Sequence, residues 1–234
     1  MKGDEIAFEA KKDLLIVHFA DSYLKKHKRK RITNACSNRM RELSRVLTSY
    51  RKLASDSTFA LKDIFHPRNF NMVVSAVRNV CRYNSNKKQY GVPSLAMHLG
   101  TFLKTVAEEL DHLVETETTG FQFRTSSEKT GCPKNIETFQ KLIKTRWAIE
   151  VSSIASKNLQ EKKWEKPHLV PLVSDVKLFR EECLKLANNS VSLFSTKKDD
   201  TETYKLLVNC TLALLIVYNR RRIGDVQFLK IKDL

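Results

Sequence analysis

Glycine and proline are scarce in this chain, with 6 and 5 residues among 234. Tight turns depend on these two residue types, so a sandwich or barrel of many short strands is disfavoured and long helices are favoured. Cysteine occurs five times (Cys36, Cys81, Cys132, Cys183 and Cys210), an odd number at wide spacings with no Cys-x-x-Cys pair. That pattern signals neither a zinc site nor a disulfide framework, and it fits reduced core cysteines of an intracellular protein. No cofactor and no metal is implied. The N-terminal run Met1-Lys2-Gly3-Asp4-Glu5 opens no hydrophobic signal stretch. The longest apolar block, Leu206 to Tyr218, is interrupted by Asn209 and Thr211. It falls short of the roughly 20 residues that a bilayer crossing needs, so a buried helix is expected and no membrane partner.

Acidic residues are also in deficit. There are 42 Lys and Arg against 26 Asp and Glu, a net charge of +16. Such an excess favours a polyanionic partner. The charge is clustered: Lys25 to Lys52 holds eleven Lys or Arg and one acid, Glu42. Density of this kind on and before one helix is what phosphate-backbone binding requires. Apolar residues are 41% of the chain, enough to build a core.

Helical periodicity recurs along the chain. Residues 4–27 read as one helix, with Ile6, Leu14, Val17, Ala20 and Leu24 at helical spacing. A second helix over about 32–53 puts Ile32, Cys36, Met40, Leu43, Val46, Leu47, Tyr50 and Leu53 on one face. Arg31, Asn34, Asn38, Arg41, Arg45 and Lys52 fall on the opposite face. Pro67 suits a helix start before the stripe Phe70, Val73, Val74, Val77 and Cys81, and Asn84 to Lys88 break it. Pro93 opens a fourth helix, ending near Glu117, and 118–132 read as a mobile Thr/Ser/Gly loop. Pro133 is expected to open a fifth helix running to about Leu159. The charged segment 161–173, with Pro167 and Pro171, is the linker candidate. Helices over about 175–194 and 201–219, a short helix over 223–229 and an incipient strand at 230–234 complete the reading. The expected fold class is mainly α, with a helical domain over 1–160, a linker over 161–173 and a second domain over 174–234.

The C-terminal stretch reads Arg220-Arg221-Arg222-Ile223-Gly224-Asp225-Val226, then Leu229-Lys230-Ile231-Lys232-Asp233-Leu234. Arginines at a helix end need no function beyond complementing the helix dipole. The longer order of apolar helix, Arg222, Asp225, Leu229, Ile231 and Asp233 resembles the first catalytic box of the tyrosine recombinases, the phage-integrase family. The resemblance implies that Arg222 binds the scissile phosphate with its planar fork and that Asp225 braces the guanidinium. It also implies that residues 1–160 are a core-binding-like DNA-binding domain and that 174–234 begin a catalytic-type domain, incipient first strand included. The segment Asn38-Arg39-Met40-Arg41-Glu42-Leu43-Ser44-Arg45-Val46-Leu47 looks similar to one in transposon-derived, recombinase-like proteins of animal genomes. The family reaction needs a tyrosine nucleophile and further basic boxes after this one, whereas Tyr23, Tyr50, Tyr83, Tyr90, Tyr204, Tyr218 and all six histidines precede it. The chain as given is therefore expected to be a truncated mobile-element remnant that binds DNA without cutting or joining it.

The expected partner is duplex DNA, bound by Lys25, Lys26, Lys28, Arg29, Lys30, Arg31, Asn38, Arg41, Arg45 and Lys52. A homo-oligomer on DNA stays open. Lys25 to Arg31 equally fits a nuclear-import signal, so an intracellular, nuclear protein is expected. Trp147 sits at an apolar helical position and reads as core, and Trp164 reads as a residue pinning two domains. Glu108-Glu109 and Asp111-His112 have no second cluster to complete a metal site and read as a solvated face. The alternative function is an all-helical protein- or RNA-interaction module with no recombinase ancestry.

Overall fold

A computed structural model describes residues 3–27, 32–117, 120, 123, 126–165, 167, 170–196, 200–219 and 222–226. The chain divides into two compact units, Met1–Lys166 and Pro167–Leu234. It is mainly helical. The first unit contains α1 (Glu5–Lys12), α2 (Leu14–Lys26), α3 (Ile32–Ala54), α4 (Phe70–Val80), α5 (Pro93–Glu115), α6 (Ser126–Trp147) and α7 (Ser153–Trp164). Two short 3-10 turns, Leu61–Phe65 and Pro67–Asn69, precede α4, and a π-helical turn, Ala148–Ser152, joins α6 to α7.

The stretch read as one helix over 4–27 is two. Asp13 leaves the helical region and caps α2, accepting from the Ile16 backbone N–H at 3.2 Å. Its other oxygen accepts from Leu61 N–H at 2.7 Å. The periodicity is right on both sides of the break, but the break itself depends on a donor 48 residues away. Helix α3 lacks glycine and proline and buries Cys36, Leu43, Val46, Leu47 and Tyr50, as its period predicts. Leu53, assigned to the same face, is 42% exposed. Beyond α3, Ser55 takes a left-handed φ of 54° and Asp56 N–H donates to Arg51 O at 3.2 Å, closing the last turn.

Around α3, the unit's core gathers Leu15, Ile16 and Phe19 of α2, Val73 and Val77 of α4, and Leu99, Leu103, Val106 and Leu110 of α5. Phe139 and Trp147 of α6 complete it. Burying each such side chain contributes about 1.5–3 kcal/mol. Trp147 lies against Gly100, where any Cβ would stand 2.4 Å from its Nε1. Arg78 of α4 donates to the Glu150 carbonyl at 2.8 Å and its carboxylate at 3.1 Å, tying α4 to the π turn.

Three further departures from the sequence reading have local causes. The break at 84–88 is a hairpin, β1 (Tyr83–Asn84) with β2 (Gln89–Tyr90), paired antiparallel. The buried Asn158 side chain accepts from Tyr90 N–H at 2.9 Å and docks it on α7. Helix α6 begins at Ser126, so Pro133 lies inside it and Cys132 is helical rather than in a loop. Proline supplies no N–H there, which weakens the helix without ending it. The first residues of the predicted linker, 161–164, continue α7 and end at Trp164, which is 79% exposed.

The second unit is a pair of packed helices, α8 (Val173–Thr196) and α9 (Thr201–Asn219), followed by the single turn α10 (Ile223–Val226). Its buried apolar residues are Cys183, Cys210 and Val226, whereas Leu178, Phe179, Leu193 and Tyr204 are each about half exposed. The predicted strand at 230–234 and residues 227–229 lie outside the described residues. All five cysteines are thiols, and burial pushes the Cys81 thiol up to about 12.

Candidate nucleic-acid interface

Asn38, Arg45 and Lys52 sit at seven-residue intervals on α3, and all three are exposed. Seven residues are close to two helical turns, so the three side chains follow one line. At 1.5 Å per residue that line runs about 21 Å along the helix. Arg31, one further interval towards the N-terminus, lies outside the described residues, as do Lys28, Arg29 and Lys30. Lys25 and Lys26 are exposed at the end of α2. Lys25 pairs with Asp21 at 2.6 Å, an exposed contact one turn away. Such pairs contribute less than about 1 kcal/mol and yield readily to a phosphate.

Arg41 is placed differently from its expected role. It grips Asp4 of α1 through both guanidinium nitrogens, one of them at 2.6 Å from Asp4 Oδ1. This fork, with help from Ala7 N–H, holds the Asp4 carboxyl well below the usual carboxylate range. The same device recurs about three turns further along α3, where Arg51 donates to Glu9 at 2.7 Å and lowers its pKa. Ser44 adds a hydrogen bond to Ile6 O at 3.0 Å. Arg41 therefore fastens α1 to α3, while Asn38, Arg45 and Lys52 face solvent and make no ion pair with a described residue.

Beside the stripe, α2, α3 and α5 enclose a cleft of about 470 Å³. Its floor is aromatic and cationic. The Arg39 guanidinium carbon stands 5.3 Å from the Tyr23 ring centre and 5.1 Å from that of Phe102, and its Nε donates to Tyr23 Oη at 3.3 Å. The His27 ring lies 4.7 Å from the Tyr23 ring. Lys26, His98, Glu108 and Glu109 stand around the rim. None of Tyr23, His27, Arg39 and Phe102 was singled out by sequence pattern; the available signal was Tyr23 and His27 one turn apart, next to the basic run.

In the second unit, Arg222 is exposed immediately before α10, and its carbonyl accepts from Val226 N–H at 3.4 Å. Asp225 lies in α10, and its side chain is outside the described ones. Between α8 and α9, the Arg180 guanidinium lies over the Tyr218 ring at 5.5 Å. Among the described residues, no group of His, Cys, Asp and Glu is disposed to hold a metal ion, and no helix is long and apolar enough to cross a membrane. Family models, curated proteins and solved structures give no match to this chain.

Proposed function

We propose that the chain binds duplex DNA through the first unit, with α3 as the contacting element. The observation that carries this reading is the exposed line of Asn38, Arg45 and Lys52, continuous in sequence with the basic run Lys25 to Arg31. Arg, Lys and Asn at such positions contact phosphates without reading bases, so the binding is electrostatic and weakly sequence-selective. Residues 1–166 carry 31 Lys or Arg against 18 Asp or Glu, most of the net charge. The recombinase part of the proposal rests on the Arg222 and Asp225 box: Arg222 would hold a phosphate, Asp225 would orient it, and neither supplies a nucleophile. On this reading the protein is a recombinase-related, nuclear DNA-binding protein.

Anisotropy of a labelled duplex, titrated with the full chain at several salt concentrations, tests the proposal. Affinity is expected to fall steeply between 50 and 200 mM salt. No binding at low salt, or binding indifferent to salt, sinks it. The ancestry has its own test: an open frame beyond the codon for Leu234, carrying a His-x-x-Arg box and a later tyrosine, would settle it.

A protein-interaction module is the second reading. It is favoured by the exposed Leu178, Phe179, Leu193 and Tyr204 of α8 and α9. It predicts that substitutions of the α3 stripe leave partner binding untouched.

A further inference from the structure

The cleft between α2, α3 and α5 differs in chemistry from the basic line outside it. Besides the Arg39 cation, its floor offers aromatic rings. Phe19 meets Phe102 edge to face at 5.0 Å, Tyr23 stands 5.8 Å from Phe19, and His27 closes the row. Arg39 is held between Tyr23 and Phe102 with its planar guanidinium among the rings. Arg and aromatic planes of this kind are stacking platforms for unpaired bases. The rim carries both signs: Lys26 on α2, and Glu108 and Glu109 on α5. Ser22 fixes Glu109 by donating to it at 2.6 Å. Carboxylates there repel a phosphate and accept from base amino groups. The volume, about 470 Å³, lies in the range of small-molecule sites.

We propose that this cleft takes an unpaired nucleobase of single-stranded nucleic acid, stacked among Tyr23, His27 and Arg39, while its flanking phosphates meet Lys25 and Lys26. The inference rests on the nucleic-acid reading above and deepens it: the outer line of α3 holds duplex, and the cleft holds a base that has left it. Every base has a π face, so the pocket accepts DNA and RNA strands alike unless the sugar is read.

The test uses the full chain and oligonucleotides of about 12 nucleotides, matching a single-domain site. Single-stranded DNA, single-stranded RNA of the same sequence and duplex DNA are compared for wild type, Tyr23→Leu and His27→Ala, with thermal unfolding measured for each. Tyr23→Leu keeps an apolar side chain against Phe19, and His27→Ala lies at the helix end, so the second variant stands if the first fails to fold. Single-strand affinity is expected to fall about tenfold, with duplex affinity within about twofold of wild type. Photo-crosslinking of a 5-iodouracil oligonucleotide is expected to yield peptides modified at Tyr23 or His27. Unchanged single-strand affinity in folded variants, or adducts confined to other helices, overturns the inference while duplex binding stands. Loss of duplex binding in wild type at low salt overturns the reading beneath it as well. A DNA-over-RNA preference assigns the strand as DNA, and the reverse assigns it as RNA.

Discussion

An alanine at position 100 would place its Cβ 2.4 Å from Trp147 Nε1 and 2.6 Å from Cδ1. Helix propensity alone favours Gly→Ala by about 1 kcal/mol. Overpacking a rigid, buried indole costs about 1–3 kcal/mol, and Trp147 is only 4% exposed. Gly100→Ala is therefore expected to destabilise the chain despite its better propensity, as a lower urea midpoint. Arg41 gives a second residue-scale prediction, in pH. Because Arg41 depresses the folded pKa of Asp4, the pair contributes stability above the ordinary aspartate value, and that contribution is lost as pH falls through the depressed one. Arg41→Gln should be less stable than wild type at pH 7, and the deficit should shrink on acidification below about pH 4. Urea melts at pH 7 and pH 3 check this; a constant deficit refutes it. Asp13 works in the opposite sense. Burial pushes its carboxyl up, against the hydrogen bonds from Leu61 and Ile16, so its charged form costs stability at neutral pH and protonation relieves that cost.

Helix α3 divides its cations between two tasks, and substitutions should reveal the division. Arg45→Ala and Lys52→Ala are each expected to reduce the salt slope of duplex binding by about 1 with little change in stability. Arg41→Gln should do the reverse, since its fork is occupied by Asp4. Equal slopes for all three variants would refute the assignment. In the first unit most elements were legible as periodicity: α3, α4 and α5 follow their apolar spacing because each buries one face on a neighbour, whereas α9, expected from its apolar run to be a buried helix, buries only Thr203 and Cys210. The outward position of Asn38, Arg45 and Lys52 followed from the same 100° step. What escaped depends on partners distant in sequence. The Asp13 break needs Leu61, the hairpin at 83–90 is docked by Asn158, and Arg41 meets a carboxylate 37 residues earlier. The cleft is invisible in any single helix because Tyr23, Arg39 and Phe102 come from three. The start of α6 was misplaced by reading Pro133 as a first-turn residue when it stands seven positions inside.

At the scale of the whole molecule the two units differ in what holds them. The first has a continuous core drawn from every helix it contains. The second buries few apolar side chains, leaving most of the outer surfaces of α8 and α9 open. Local stability follows buried apolar contact. Amide hydrogens of α8 and α9 are therefore expected to exchange markedly faster than those of α3 and α5 in native-state mass spectrometry. Uniform protection would show a stabilising surface on the second unit. Asp13 carries one more consequence. Its carboxylate joins the start of α2 to the chain at Leu61, so the bend between α1 and α2 is fixed only after a loop of about fifty residues has closed, an entropic step that precedes its reward. A peptide of residues 4–27 has no Leu61 to present. In isolation only the local cap on Ile16 marks the break, and the second anchor of that bend belongs to the late, long-range phase of folding.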